Sequence, residues 1–185
     1  MSASKSTATP EPATPAASPS AFLNALSTEA AREALHSCCG SARWVAGMLA
    51  RRPFTSVDQL HAAAAEVWSG LGPADFLEAF AHHPRIGERA DAARAATATS
   101  RAWSADEQAR AASAADAETA ELQALNQAYA ARFGYIFIIC ATGKSAIDIL
   151  AALRARLLHG PERELGVAAA EQAAITRLRL EKLAR

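Results

Sequence analysis

Alanine dominates this chain, and no other feature narrows its fold so far. Alanine loses no side-chain entropy in a helix and offers little to pack on a pleated sheet, so it favours helices over strands. The sequence is 51% hydrophobic yet only 6% aromatic. An all-α protein is therefore predicted before any pattern is read. A length of 185 residues suits one compact domain.

Apolar spacing and punctuation divide the chain into helices. Phe22, Leu23 and Leu26 start a short one, and Thr28–Cys38 supplies the next. Gly40 separates it from a segment over 41–51 that carries Trp44, Val45, Met48 and Leu49, and Pro53 stops that segment. Ser56 and Gln59 have the spacing of a capping box. The helix they open sets Leu60, Ala64, Val67 and Trp68 on one face and ends at Gly70. Pro73 suits a first helical position, and Phe76, Leu77 and Phe80 are predicted to point inward until His83-Pro84 breaks the helix. Residues 88–102 are small and weakly patterned, read as a short helix and a loop. Ser104 and Glu107 repeat the capping-box signature, with a helix from Ala105. A separate helix follows, with Leu122, Leu125, Tyr129 and Phe133 inward and Gly134 at its end. Ile147, Leu150, Leu153 and Leu157 mark another, closed by Gly160-Pro161, and the last runs from about residue 162 to 183. The expectation is a compact single-domain bundle of about eight helices over residues 20–185. It follows a disordered Ala/Ser/Thr/Pro-rich tail, residues 1–19, which has almost nothing to bury.

Formal net charge is zero, so no global basic field draws nucleic acid or anionic lipid. Three cysteines, with Cys38 and Cys39 adjacent, make a poor disulfide framework and suit reduced thiols. The first twenty residues lack the apolar core of a signal peptide, and no apolar run approaches the ~20 residues of a membrane span. These features read as a soluble, cytoplasmic protein with no nucleic-acid or membrane partner.

The stretch IFIICATGKSAI, residues 136–147, imitates the strand, loop and helix of a phosphate-binding loop. Such a loop is G-x-x-x-x-G-K-[ST], and its first glycine lets backbone amides turn toward the phosphates. Counting back from Gly143-Lys144-Ser145 puts that glycine at residue 138, which is isoleucine. A β-branched residue does not take the glycine conformation. The segment reads instead as a buried apolar connector, with Thr142 or Ser145 as N-cap of the next helix and Lys144 at its start.

Several residues have two readings. His83 follows Phe80 by three positions and Phe76 by seven, so it sits on the buried side at the end of its helix, with His82 about 100° round. It is either a charge complement to the helix dipole or an acid–base group. Ser104 and Glu107 in WSADEQ are explained by capping alone, but Gln108 is not, and polar groups at a helix start also suit a ligand. Cys140 is either a small hydrophobe or a nucleophile. Arg179 lies about 40° round the helix from Ile175 and Arg177 about 160°. With Ile175 inward, Arg179 borders the core and is either placed to grip a carboxylate or a surface arginine with its stem packed, while Arg177 is solvated. No H-E-x-x-H or paired C-x-x-C occurs, His36 near Cys38 and Cys39 is a weak signal, and no metal site is predicted.

Taken in order, SARWVA, RRPF, HPRIG, WSADEQ, FGYIFIICATGKSA and ITRLRLEKL resemble the 2-oxo-4-hydroxy-4-carboxy-5-ureidoimidazoline (OHCU) decarboxylase family of uric acid degradation. The resemblance covers about residues 20–183. It implies an all-α, cofactor-free and usually dimeric enzyme that converts OHCU to S-allantoin. It puts the catalytic histidine on His83 and a substrate contact on Pro84. The S-x-x-E-Q segment falls on Ser104 to Gln108, with Glu107 catalytic and Ser104 and Gln108 substrate-binding. The apolar wall falls on Phe137, Ile138, Ile139, Cys140 and Ala141, and the closing arginine on Arg179. One departure stands out: Cys38-Cys39-Gly40-Ser41 replaces a Glu-His-Ser run that many members have before the tryptophan. Two other readings compete, a helical adaptor without catalysis and a relative acting on a different ureido or imidazole acid.

Overall fold

A computed structural model describes residues 17–83 and 105–184, the side chains of 105–117 excepted. Among the described residues the chain forms eight helices and no strand. They are α1 (Pro19–Ala25), α2 (Thr28–Cys38), α3 (Ala42–Leu49), α4 (Val57–Ser69), α5 (Pro73–Ala81), α6 (Ala105–Phe133), α7 (Ala146–Arg156) and α8 (Pro161–Lys182). The segment 88–102, read as a short helix and a loop, lies outside the described residues.

Most boundaries have a local cause. Ser27, Ser41, Ser56 and Ser145 each accept a backbone N–H of the first turn, satisfying donors that the helix leaves open. Gln59 does not reach back to Ser56; its Oε1 accepts from Thr55, one residue earlier. Pro73 and Pro161 occupy first-turn positions. Gly134 closes α6 with φ +80°, a conformation that suits glycine.

One boundary is missing. The two helices predicted between 105 and 133 are a single helix of 29 residues. The segment between their apolar stripes is rich in alanine and holds no Gly or Pro, so nothing stops it. Two expected inward residues are also outward: Leu77 is 42% exposed and Ile147 69%. Phe76 and Phe80, four apart, take the inner face of α5, which leaves Leu77 about 100° away.

α8 is the central element and packs on α1, α2, α4 and α5. The main core gathers Leu35, Trp44, Met48, Leu60, Trp68 and Phe80 around it. A second, smaller core joins α6 and α7 through Tyr129, Phe137, Ile139 and Leu153. The connector 135–139 links the two, sending Phe137 and Ile139 to one core and Ile138 to the other.

A buried ionic network fixes that connector. Glu164, wholly buried on α8, accepts from Arg156 Nε at 2.8 Å and from the Tyr129 hydroxyl, and contacts His159 Nδ1 at 2.7 Å. Arg156 also donates from Nη1 to the Ile138 carbonyl at 2.8 Å and stacks over the Phe137 ring. Burial and the neighbouring carboxylate push the Tyr129 hydroxyl far above its usual range. Removing one partner of a buried pair leaves an uncompensated charge. Glu164→Leu is therefore expected to lower unfolding free energy by about 3–5 kcal/mol in urea titrations. Arg156→Met should cost much less in that background than alone. Simple additivity of the two changes would contradict the network.

Candidate functional site

The C-terminal ends of α2 and α5, the connector and the last turns of α8 enclose a cleft of about 620 Å³. Ser37 enters from α2, and His82 and His83 from the end of α5. Residues 139–142 form one wall, and Ile175, Leu178, Arg179 and Lys182 of α8 form another. Of the residues predicted for a site, the cleft collects His83, Ile139, Cys140, Ala141 and Arg179. Phe137 and Ile138 do not line it. Both are buried behind the wall, in separate cores. Pro84 and Ser104 lie outside the described residues. Glu107 and Gln108 fall in the first turn of α6, and their side chains lie outside the described set.

Arg179 is held by the end of a helix. Its Nη1 donates to the carbonyls of Ser37 and Cys38, at 3.2 and 3.3 Å. Both belong to the last turn of α2, where carbonyls lack helical partners and the dipole is negative. Nη2 of the same guanidinium meets His83 Nδ1 at 3.3 Å. Arg177, by contrast, is exposed beside Glu181.

This contact fixes the state of the imidazole. A guanidinium only donates, so Nδ1 must be the acceptor and Nε2 must carry the ring proton. Burial first, then the Arg179 charge, pushes the His83 pKa down to about 4. His82 adds to that lowering, while the nearby Gln172 amide works against it. His83 is thus a neutral, half-buried base at physiological pH. Cys38 and Cys39 are buried free thiols, each pushed up to about 11 chiefly by desolvation, and stay protonated. Cys140 is a free, half-buried thiol in the wall.

The wall is braced from both sides. Glu171 Oε2 accepts the Cys140 N–H at 2.7 Å, and Lys144 Nζ donates to the Cys140 carbonyl at 2.6 Å. Lys144 lies in the turn before the Ser145 cap, so it serves the connector and sits one step ahead of α7. The departure at residues 38–41 also has a structural reason. A Cβ on Gly40 would stand 2.4 Å from His82 Cβ. Glycine there lets the end of α5 close onto the α2–α3 turn, and so sets the height of the adjacent His83.

Sequence reasoning missed Ser37, Thr142, Lys182, Glu171 and Gln172. One signal was available: Gln172 precedes Arg179 by seven residues, about 20° apart round the helix, so both share a stripe. A second cavity of about 250 Å³ lies against another face of α8, between Trp44, His61 and Trp68. It holds none of the residues predicted for the site. Among the described residues, no three His, Cys, Asp or Glu side chains group as a metal site, and no helix is long and apolar enough to cross a membrane.

An all-α domain whose cleft pairs a neutral imidazole with an anchored guanidinium holds the groups that acid–base chemistry on a small anion would use. The comparisons with known proteins agree. A family model described as OHCU decarboxylase matches residues 24–181. The uric acid degradation bifunctional protein TTL of Arabidopsis thaliana is 37% identical over 147 residues, 79% of this chain and 45% of that protein. The OHCU decarboxylase of Haloferax volcanii is 30% identical over 138 residues, covering 74% of this chain and 79% of its own. A crystal structure of OHCU decarboxylase in the presence of (S)-allantoin superposes with a TM-score of 0.64 at 34% identity, covering 82% of this chain and 96% of that one. The chain belongs to the OHCU decarboxylase family. It spans less than half of the bifunctional plant relative and most of the single-function ones.

The His83 state can be checked directly. Its ring should titrate near pH 4 by NMR, and Arg179→Gln should raise that midpoint toward 6.5 without reaching it, since burial remains. The folded ring is harder to protonate than the unfolded one. Stability should therefore fall as pH drops from 6.5 toward 4. A His83 midpoint at 6.5, or one unmoved by Arg179→Gln, would contradict the assignment.

Proposed function

We propose that this protein decarboxylates 2-oxo-4-hydroxy-4-carboxy-5-ureidoimidazoline to (S)-allantoin. The observation that carries the reading is the placement of His83 and Arg179 in one cleft, in a chain of this family. The substrate bears a carboxylate and a hydroxyl on one ring carbon, beside a ring C=N. When the C–CO₂ bond breaks, its electron pair forms a C=C bond between the two ring carbons. The C=N π pair moves onto nitrogen, which takes a proton. The resulting enol loses its hydroxyl proton as the ureido-bearing carbon gains one, leaving the C=O of allantoin. The ring C=N is itself the electron sink, so the reading needs no cofactor.

Arg179 holds the substrate's anionic oxygen. In doing so its Nη2 leaves His83, and the freed Nδ1 lone pair takes the hydroxyl proton. Placing that proton on one face of the ureido-bearing carbon gives a single enantiomer. Glu107, acting with His83, and Gln108 orient the ureido and ring nitrogens, and Pro84 and Ser104 complete the contacts. The backbone of 139–141 faces the ring edge, and Cys140 packs there without acting as nucleophile. Phe137 and Ile138 support this wall from behind. We read residues 20–185 as one catalytic unit that works in the cytoplasm as a homodimer.

The test is to add protein to freshly generated OHCU and follow optical activity. Rapid appearance of (S)-allantoin is expected, and slow racemic product would favour an adaptor or a different substrate. General acid–base catalysis contributes ~10²–10⁴-fold, so His83→Ala should lower kcat by about that much with the fold intact, and His82→Ala far less. Wild-type turnover in His83→Ala would remove His83 from the mechanism.

A further inference from the structure

Among the described residues, two buried polar atoms beside the cleft lack a partner, and they complement each other. One is His83 Nε2 and the other is Gln172 Oε1. Arg179 donates toward Nδ1, so Nε2 bears the ring's proton and is a donor. Gln172 is wholly buried on α8, and its Nε2 donates to Thr176 Oγ1 at 3.1 Å. Thr176 is in turn hydrogen-bonded with Cys39. That chain sets which way the amide lies and leaves Oε1 as a pure acceptor. Gln172 is also the one neighbour of His83 that favours a charged ring, an amide within the reach of the imidazole. An unmade bond between two buried groups costs the desolvation of both, so a small turn of the ring that closes it is favoured.

We propose that Gln172 is the positioning residue for His83. In the substrate-bound enzyme its Oε1 accepts the Nε2 proton and holds the ring in the tautomer whose Nδ1 lone pair is the base. This rests on the decarboxylase reading above. The geometry divides α8 between two tasks. Arg179 masks Nδ1 until substrate draws it away, and Gln172 keeps the proton on the far nitrogen throughout. Among the described residues, the groups that act on the ring are Arg179 and Gln172 from α8 and His82 at the end of α5.

The experiment measures kcat, KM and their pH profiles for wild type, Gln172→Leu and Gln172→Glu, together with the His83 tautomer by nitrogen NMR. A ring locked in the wrong tautomer loses its function as a base. Gln172→Leu should therefore lower kcat by about tenfold or more, with KM changed far less. Gln172→Glu sets a carboxylate opposite Nε2–H and should move the acid limb of kcat/KM to higher pH, which a packing role alone would not do. The wild-type ring should be protonated at Nε2 with and without (S)-allantoin. A wild-type ring protonated at Nδ1 overturns the proposal even where the variants fail to fold. Folded variants with wild-type kcat and an unmoved profile overturn it as well. Wild-type protein that gives no (S)-allantoin overturns the decarboxylase reading and the proposal together, whereas an active wild type with unaffected variants overturns the proposal alone.

Discussion

The Glu164 carboxylate, wholly buried at the start of α8, is the constraint on which the rest of the structure depends. A charge there is stable only with several partners, and it has them: Arg156, the Tyr129 hydroxyl and His159. These reach in from α6, α7 and the turn before α8. Arg156 then extends the grip to the Ile138 carbonyl and the Phe137 ring. An extended connector with no sheet partner is thereby fixed as firmly as a strand. Its outer residues 139–142 become one wall of the cleft. The network is structural, but the site inherits its rigidity.

α8 carries that stability to the chemistry. From Glu164 it runs past Glu171, which takes the Cys140 amide, to Gln172 and to Arg179. One helix therefore fixes the wall, the imidazole and the cation that masks it. Arg179 depends on a second device, the unpaired carbonyls at the end of α2. Burial, and then the positive charge beside it, keep His83 neutral, which is the state a base requires. The closeness of Gly40 to His82 completes the arrangement by letting α5 end against the same α2 turn.

Helices with capping serines or prolines were legible in the sequence, since each signal is local. Ser56, Pro73, Ser145 and Gly134 all mark real ends. The unbroken length of α6 was not legible, because its apolar stripe fades among alanines, which weaken the pattern but sustain the helix. Helical spacing set His83 and Arg179 each at the inner edge of its own helix, and the family resemblance alone put them in one site. The buried polar residues were not legible. Nothing local singles out Glu164, Arg156, Glu171 or Gln172, because the partners come from elsewhere in the chain: Tyr129 and Cys140 lie 35 and 31 residues from the carboxylates they meet. Phe137 and Ile138 read as part of a pocket wall, but each is taken up by a core before the connector reaches the cleft at Ile139.

The central claim is that the His83–Arg179 cleft, and not the Trp44–His61 cavity, receives the substrate. A crystal structure of the wild-type protein with (S)-allantoin tests it most directly. The account predicts the product against residues 139–141, with an oxygen on Arg179 and His83 Nδ1 released from the guanidinium. Product seated in the Trp44–His61 cavity, or in the cleft with the His83–Arg179 contact unchanged, would contradict it.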